Sequence, residues 1–271
     1  MKSVLGFFNR PWISLPLEQE LDAIAATGSK HVGLLARPGG GHNVEWDTPF
    51  DKVARLKDAI AARGLKMNAL LAHVHFDVPT EESISRYKAF IDRAAALGAT
   101  TLLEMGAHDP KTFDQYFAVM RAVSPYAQDK GMMIGVKPHG GLSSTGKECA
   151  QVVEKVGHPN YRLWYDPGNI IYYKQLDPVA EAHEVRGIVV GMCVKDCIIK
   201  PDGKPDVDVT PGEGLVDFEG VYRTLWEGGF RSGSCIIETL GPKEPQAITE
   251  AGKKALQYIK GIMLKVGYEL E

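Results

Sequence analysis

Ionisable side chains follow the apolar segments of this sequence at regular intervals. The residues in these positions are Asn9, Arg10, Arg37, His42, His73, His75, Glu104, His108, Lys137, His139, Asp166, Asn169, Lys195, Asp196 and Glu238. Five of the eight histidines of the chain belong to this set. Carboxylates, imidazoles and amines transfer protons and bind cations or polar ligands in enzymes. Their recurrence after successive apolar segments predicts that they share one site.

The apolar segments have the length and composition of buried β-strands. They begin near Ser3, His31, Lys66, Thr100, Met132, Tyr161, Ile188 and Ser234. Stretches with helical periodicity separate them, such as the series Ile84, Tyr87, Ile91 and Ala95. The repeat of about 30 residues is the size of one strand and helix unit.

Eight such units predict a parallel sheet that is buried on both faces and closed into a barrel. We therefore expect the α/β class and a single (β/α)8 TIM barrel over residues 1–271, with an inserted active-site loop at about residues 197–216. A doubly wound open sheet is the main alternative, but no GxGxxG or GxxxxGK[ST] loop follows any segment.

The carboxyl ends of barrel strands carry the catalytic residues in this type of fold. Four residues from different predicted strands could converge there on one divalent cation, namely Glu104, His139, Asp166 and Glu238. Oxygen ligands with one imidazole suit Mn, Co, Mg or Zn. The sequence therefore predicts a divalent metal cofactor at the mouth of the barrel.

Composition limits the partners and the compartment. The chain of 271 residues has 31 Lys and Arg against 34 Asp and Glu, without a basic run, so we expect no nucleic acid partner. No apolar segment is long enough to span a membrane, and the four cysteines lack a CxxC spacing. These features favour a reduced, cytoplasmic protein. They leave open whether it forms a homo-oligomer.

Several motifs carry a family resemblance over nearly the whole chain. The sequences WYDPGN from Trp164, VKD from Val194, PGEGLVDF from Pro211 and IIET from Ile236 resemble the sugar isomerase/epimerase family with a xylose-isomerase-like barrel. This resemblance implies a metal-binding (β/α)8 enzyme that moves a proton between adjacent carbons of a ketose or aldose. It also implies that Asp166 is a metal ligand and that Glu238 is both a ligand and a proton-transfer base.

Two positions depart from the family pattern. Lys137 stands where the fifth strand of many relatives ends in a glutamate, and Cys193 stands where the seventh strand offers a histidine. His139, two residues after Lys137, is expected to replace the lost ligand or to act as a base, and Lys137 is expected to be a base or a substrate donor. Glu104 is expected to complete the ligand set.

The resulting expectation is a divalent-metal-dependent sugar isomerase or epimerase that works through an enediolate. Its catalytic groups are Glu238, His139 and Lys137. Its carbohydrate substrate is expected to contact Lys195, His73, His75, Trp12 and Asn169. One alternative is a lyase that acts by β-elimination on a keto-sugar or keto-glycoside, and a second is a catalytically inactive sugar-binding barrel.

Overall fold

The computed structural model describes residues 2–35 and 44–271. Eight parallel strands close into a barrel, which confirms the predicted single (β/α)8 TIM barrel. Each strand begins within one residue of the start of a predicted apolar segment. The barrel strands are β1 Val4–Phe8, β2 His31–Leu34, β3 Lys66–Leu71, β4 Thr101–Glu104, β5 Met133–Val136, β6 Tyr161–Tyr165, β7 Val189–Val194 and β10 Ser234–Ile237. Their order around the barrel is β1-β10-β7-β6-β5-β4-β3-β2.

Helices surround the barrel and connect successive strands. They are α1 Leu17–Ala26, α2 Phe50–Ala61, α3 Thr80–Leu97, α4 Phe113–Asp129, α5 Gly146–Val156, α6 Pro167–Lys174, α7 Pro178–His183, α8 Phe218–Glu227 and α9 Pro245–Val266. Among residues 2–35 and 44–271, no helix combines the length and apolar character needed to cross a bilayer.

Alternation along the strands sends side chains either into the barrel or toward the helices. The residues that fill the barrel interior are Phe8, Ala69, Leu103, Trp164, Cys193 and Ile236. Trp164 fits there because β5 and β7 carry glycines against it, and a Cβ on Gly191 would lie 2.2 Å from the indole ring. Residues two positions further along a strand share its face. The interior layer of β6, β7 and β10 therefore continues with Asp166, Lys195 and Glu238.

Glu104 lies on the opposite face of its strand, which corrects its expected place in the metal site. Leu103 faces the barrel interior, so Glu104 points toward the helices, and its carboxylate accepts a hydrogen bond from the Tyr87 hydroxyl of α3 at 2.7 Å. The residue is 1% exposed, and this burial raises the pKa of Glu104 to about 8. The carboxyl is therefore largely protonated at neutral pH and belongs to the packing between β4 and α3.

The proton on Glu104 makes the stability of the fold depend on pH. Because the folded pKa of about 8 lies above the usual 4.5, this contribution is complete below about pH 4.5 and is lost as the pH rises through about 8. We expect Glu104→Gln to remove this loss, so that between about pH 5 and about pH 9 the wild type loses about 2 to 4 kcal/mol more unfolding free energy than the variant. Urea unfolding of both proteins at both pH values measures this difference in unfolding free energy. Glu227→Gln, at an exposed position, is the control, and an identical pH dependence in wild type and Glu104→Gln would contradict the assignment.

One carboxylate, that of Asp196, binds both ends of the segment at about 197–216. The segment contains a small antiparallel hairpin, β8 Ile198–Ile199 with β9 Pro205–Asp206. Asp196 accepts hydrogen bonds from the backbone N–H groups of Cys197 at 2.8 Å, Gly212 at 2.9 Å, Gly214 at 2.9 Å and Val216 at 3.0 Å. The segment is therefore anchored at both its beginning and its end.

Loss of the Asp196 carboxylate should release this segment. We expect Asp196→Ala to increase the rate of cleavage by endoproteinase Glu-C after the exposed Glu213 by about tenfold or more, because four backbone donors lose their common acceptor. Asp202→Ala, at an exposed position of the same segment, is the matched control. Equal cleavage rates in wild type and Asp196→Ala, measured by mass spectrometry, would show that other contacts hold the segment.

Candidate active site

Four charged side chains meet where β5, β6, β7 and β10 end. Lys137, Asp166, Lys195 and Glu238 are each the first residue after their strand, and these four strands are neighbours in the barrel. All four are at most 3% exposed. Strand ends at the same level therefore explain why residues far apart in sequence share one buried cluster.

Each lysine of this cluster bridges both carboxylates. The Lys137 Nζ atom lies 2.7 Å from Glu238 Oε2 and 3.3 Å from Asp166 Oδ2. The Lys195 Nζ atom lies 2.9 Å from Glu238 Oε1 and 3.1 Å from Asp166 Oδ2. Charges alternate around this ring, so every buried charge has two partners of opposite sign. We call these four residues the ion-pair ring.

Arg10 adds a third cation, to which the sequence analysis assigned no catalytic, substrate-binding or metal-binding role although it placed Arg10 at the end of a strand. Its Nη1 atom donates to Glu238 Oε1 at 3.0 Å, and its Nη2 atom lies 3.7 Å from Asp208 Oδ1 in the inserted segment. Its side chain is 39% exposed, so Arg10 is the accessible cation of the site. Its position just after β1 was the available signal, because the other site residues follow strands in the same way.

The charges of the ring fix the protonation of Glu238 and Lys137. Burial alone would raise the pKa of Glu238, but the positive charges of Lys137, Lys195 and Arg10 outweigh burial and hold it well below its usual value. Burial alone would lower the pKa of Lys137, yet Glu238 and Asp166 raise it above its ordinary value. Glu238 is therefore a carboxylate and Lys137 an ammonium throughout the neutral pH range.

Hydrogen bonds to the start of α6 hold two members of the ring, Asp166 and Lys195, in place. The Asp166 Oδ1 atom accepts from the backbone N–H of Asn169 at 3.0 Å and so caps the start of α6. Asn169 accepts from Lys195 Nζ at 3.1 Å through Oδ1 and donates to the Pro138 carbonyl at 2.7 Å. Asn169 and Lys195 were expected to contact the substrate, but their polar side-chain atoms already have hydrogen-bond partners within the protein.

His139 lies beside the ring but outside the group of candidate ligands. Its Nδ1 atom is 3.3 Å from His108 Nε2, and its ring centroid is 5.4 Å from that of Tyr173. Burial, followed by the charges of Lys137 and Lys195, lowers the pKa of His139 to about 3. The imidazole is therefore neutral at pH 7 and a weak proton acceptor.

The central carboxylates, as they stand, do not fit a divalent metal. One ligand atom each from Asp166, Cys193 and Glu238 lies within 4.8 Å of the others, which is a separation that a metal could bridge. The ammonium of Lys137 already lies among these three atoms, and burial raises the pKa of the Cys193 thiol well above its usual value, so no thiolate is available. The structure brings Asp166 and Glu238 together as expected, while Glu104 and His139 do not join them. The metal therefore stays a prediction, and the Lys137 ammonium in the place of the ion argues against it.

Two of the expected substrate contacts, His73 and His75, belong to a separate group at the rim. Their ring centroids are 4.7 Å apart, and His73 Nε2 lies 3.8 Å from Glu45 Oε2. One ligand atom from each of these three residues lies within 4.8 Å of the others. The rim group does not line the cavity above the ring, and Arg37 and His42 of the neighbouring segment lie outside the described residues.

Trp12 is buried in the core, which corrects its expected role in stacking against a sugar. Its ring makes an edge contact with Phe7 at 5.5 Å between centroids, and its Nε1 atom donates to Thr249 Oγ1 of α9 at 3.2 Å. The side chain is fully buried, because the short turn after β1 folds inward onto the helices.

A cavity of about 320 Å³ opens above the ion-pair ring, at the lower end of the volumes of small-molecule sites. Apolar side chains form part of its lining, and charged side chains form the rest. The lining residues are Arg10, Ile13, Leu35, Leu71, Met105, Lys137, His139 and Glu238. Such a cavity suits a small molecule with apolar C–H surface and oxygen atoms at one end.

Comparisons with known proteins agree with this architecture. No curated protein matches the chain in sequence. A xylose isomerase domain protein from Planctomyces limnophilus superposes with a TM-score of 0.76 at 19% identity, over 98% of this chain and 99% of that chain. D-psicose 3-epimerase with D-tagatose from Clostridium cellulolyticum H10 gives 0.76 at 13% identity, over 97% and 99% of the two chains. The probable 3-DHS dehydratase from Bacillus anthracis superposes with a TM-score of 0.72 at 13% identity, over 94% of this chain and 98% of that chain.

At these identities the solved structures show a common fold and no more. The sequence profile described as xylose isomerase-like TIM barrel is the more specific finding, because it matches residues 21–260. This match includes Lys137, Asp166, Lys195 and Glu238. The chain therefore belongs to the xylose isomerase-like TIM barrel family.

Proposed function

We propose that this protein is an enzyme that moves a proton between adjacent carbons of a small carbohydrate with a carbonyl group, through an enediolate. The observation that carries this proposal is the Glu238 carboxylate, which lines the cavity while three cations contact it. The epimerase and isomerase names among proteins of the same fold support a sugar substrate.

The charge of the site suits the intermediate of such a reaction. Three cations, Arg10, Lys137 and Lys195, face the two carboxylates of Asp166 and Glu238. Asp208, which also contacts Arg10, is balanced by Lys243 at 2.7 Å, so one net positive charge remains. An enediolate brings one negative charge when it forms from a neutral sugar. Positive charge that is fixed before the reaction stabilises this anion without reorganisation, which is a large source of catalysis in enclosed sites.

Glu238 is the residue placed to accept the proton. Three cationic donors use three of the roughly four acceptor positions of its carboxylate, so one remains for a substrate proton. Lys137 directs its weakest contact, at 3.9 Å, to the Cys193 sulfur. A substrate oxygen is a stronger acceptor than this thiol, so it can take that hydrogen. If a substrate oxygen also takes the Arg10 donor, Glu238 loses one stabilising hydrogen bond and its proton affinity rises.

The available bases favour isomerisation over epimerisation. Among the described residues that line the cavity, Glu238 is the one carboxylate. Lys137 is held as an ammonium, and protonation of His139 would add a further buried cation beside Lys137 and Lys195. One base can remove a proton and return it to the neighbouring carbon on the same face. Epimerisation needs proton-transfer groups on opposite faces of the carbon.

Elimination is the second candidate reaction, and the same single carboxylate favours it. Loss of a β-substituent from a keto-sugar or keto-glycoside passes through the same type of anion. It needs no second group to return a proton to the carbon, so a site with one base suffices.

Deuterium exchange tests the role of Glu238. Aldoses, ketoses and keto-glycosides are incubated with the protein in D2O, and NMR follows deuterium at the carbon next to the carbonyl. We expect Glu238→Gln to lower the exchange rate at least about 100-fold, because a general base contributes this much or more. Arg10→Met should also lower it, with less risk to the fold because Arg10 is partly exposed.

Glu227→Gln is the matched control for this experiment, since it removes an exposed carboxylate away from the cavity. Circular dichroism of each variant checks that the barrel is intact. The NMR spectra separate the two reactions, because isomerisation moves the carbonyl whereas elimination releases a fragment. Exchange that is undiminished in a folded Glu238→Gln variant would contradict the proposal.

A further inference from the structure

The ligand atoms of a metal site and a cation are both present at the centre of the barrel mouth. Asp166, Cys193 and Glu238 offer three atoms within 4.8 Å of one another, all buried, from the ends of β6, β7 and β10. The Lys137 Nζ atom lies 2.7 Å from the Glu238 oxygen, 3.3 Å from the Asp166 oxygen and 3.9 Å from the Cys193 sulfur.

A divalent ion and this ammonium exclude each other. A metal holds carboxylate oxygens at about 2.0 to 2.6 Å, so an ion bound by Asp166 and Glu238 would overlap the space of the Lys137 Nζ atom. Lysine cannot act as a ligand while protonated, because it has three donors and no acceptor. The side chain is 2% exposed, and it lines the cavity, so an ion could bind only if the Lys137 ammonium left both carboxylates and moved into the space expected for the substrate.

Charge gives a second and independent reason. The three cations around Asp166 and Glu238 already exceed the two carboxylates by one charge. A divalent ion would raise this excess to three positive charges in a buried site, where like charges repel strongly.

We propose that the Lys137 ammonium is a built-in replacement for a divalent metal, so that the central site works without a metal and takes an anionic or strongly polarised oxygen of the substrate. The single net positive charge matches one negative charge on that oxygen. This inference concerns the occupant of the site and not the reaction, so it can fail while the proposed function holds, and the reverse is also true.

Metal titration of Lys137 variants tests this replacement. Calorimetric titration with Co2+ and Mn2+ is carried out in a His75→Ala background, which removes one residue of the rim group. The parent protein is expected to bind no metal at the central site. Lys137→Glu removes the cation and adds a carboxylate beside the three ligand atoms, so we expect it to bind about one ion per chain at least about 100-fold more tightly than the parent.

Two further variants test whether the metal binds at the central site. Asp166→Asn in the Lys137→Glu protein should abolish it, and the visible spectrum of bound Co2+ gives a readout independent of activity. Lys137→Met removes the charge without adding a ligand and should bind more weakly than Lys137→Glu.

Two results would overturn the proposal. One is stoichiometric binding by the parent protein that is lost on Asp166→Asn, since the metal would then share the site with Lys137. The other is a folded Lys137→Glu protein that binds no metal, since the position of Lys137 would then not be a metal position. If Lys137→Glu does not fold, the parent protein and its Asp166→Asn variant decide alone.

Discussion

The pairing of two buried ammonium groups with two buried carboxylates is the interaction on which the rest of the site depends. A buried charge without a partner costs several kcal/mol, so Lys137, Lys195, Asp166 and Glu238 are stable in this place only together. Their positions come from the barrel, because each follows its strand directly and the four strands are neighbours. A displacement of any one of these strands would leave charges of the ring unpaired.

The surrounding structure is arranged so that the ring keeps its geometry. Asp166 begins α6 as its cap, and Asn169 on the same helix holds Lys195, so one helix start fixes a carboxylate and an ammonium. Asp196, next to Lys195, anchors the inserted segment, and that segment reaches Arg10 through Asp208. The residue that exposes positive charge to the cavity is thus tied to the segment above it. Under the proposed function, a substrate that contacts Arg10 would therefore also affect the order of the inserted segment.

Sequence patterns were sufficient for the barrel and for part of its site. Strand ends predicted the convergence of Asp166, Lys137, Lys195 and Glu238, because all carboxyl ends of a parallel barrel lie on one side. Glu104 could not be placed in this way, since Leu102 and Leu103 are both apolar and do not reveal which face of β4 is inside. The actual partner of Glu104 is Tyr87 of α3, and only tertiary packing establishes that contact. Arg10 and Trp12 depend on partners 228 and 237 residues away, Glu238 and Thr249, which local spacing cannot indicate.

The Lys137 ammonium lies among the three atoms that could otherwise bind a metal ion. The most direct measurement is an anomalous difference map from a crystal of the wild-type protein grown with Mn2+. We expect no anomalous peak among Asp166, Cys193 and Glu238, with the Lys137 side chain in contact with both carboxylates. A peak within about 2.5 Å of the Asp166 and Glu238 oxygens, with Lys137 turned away, would contradict it.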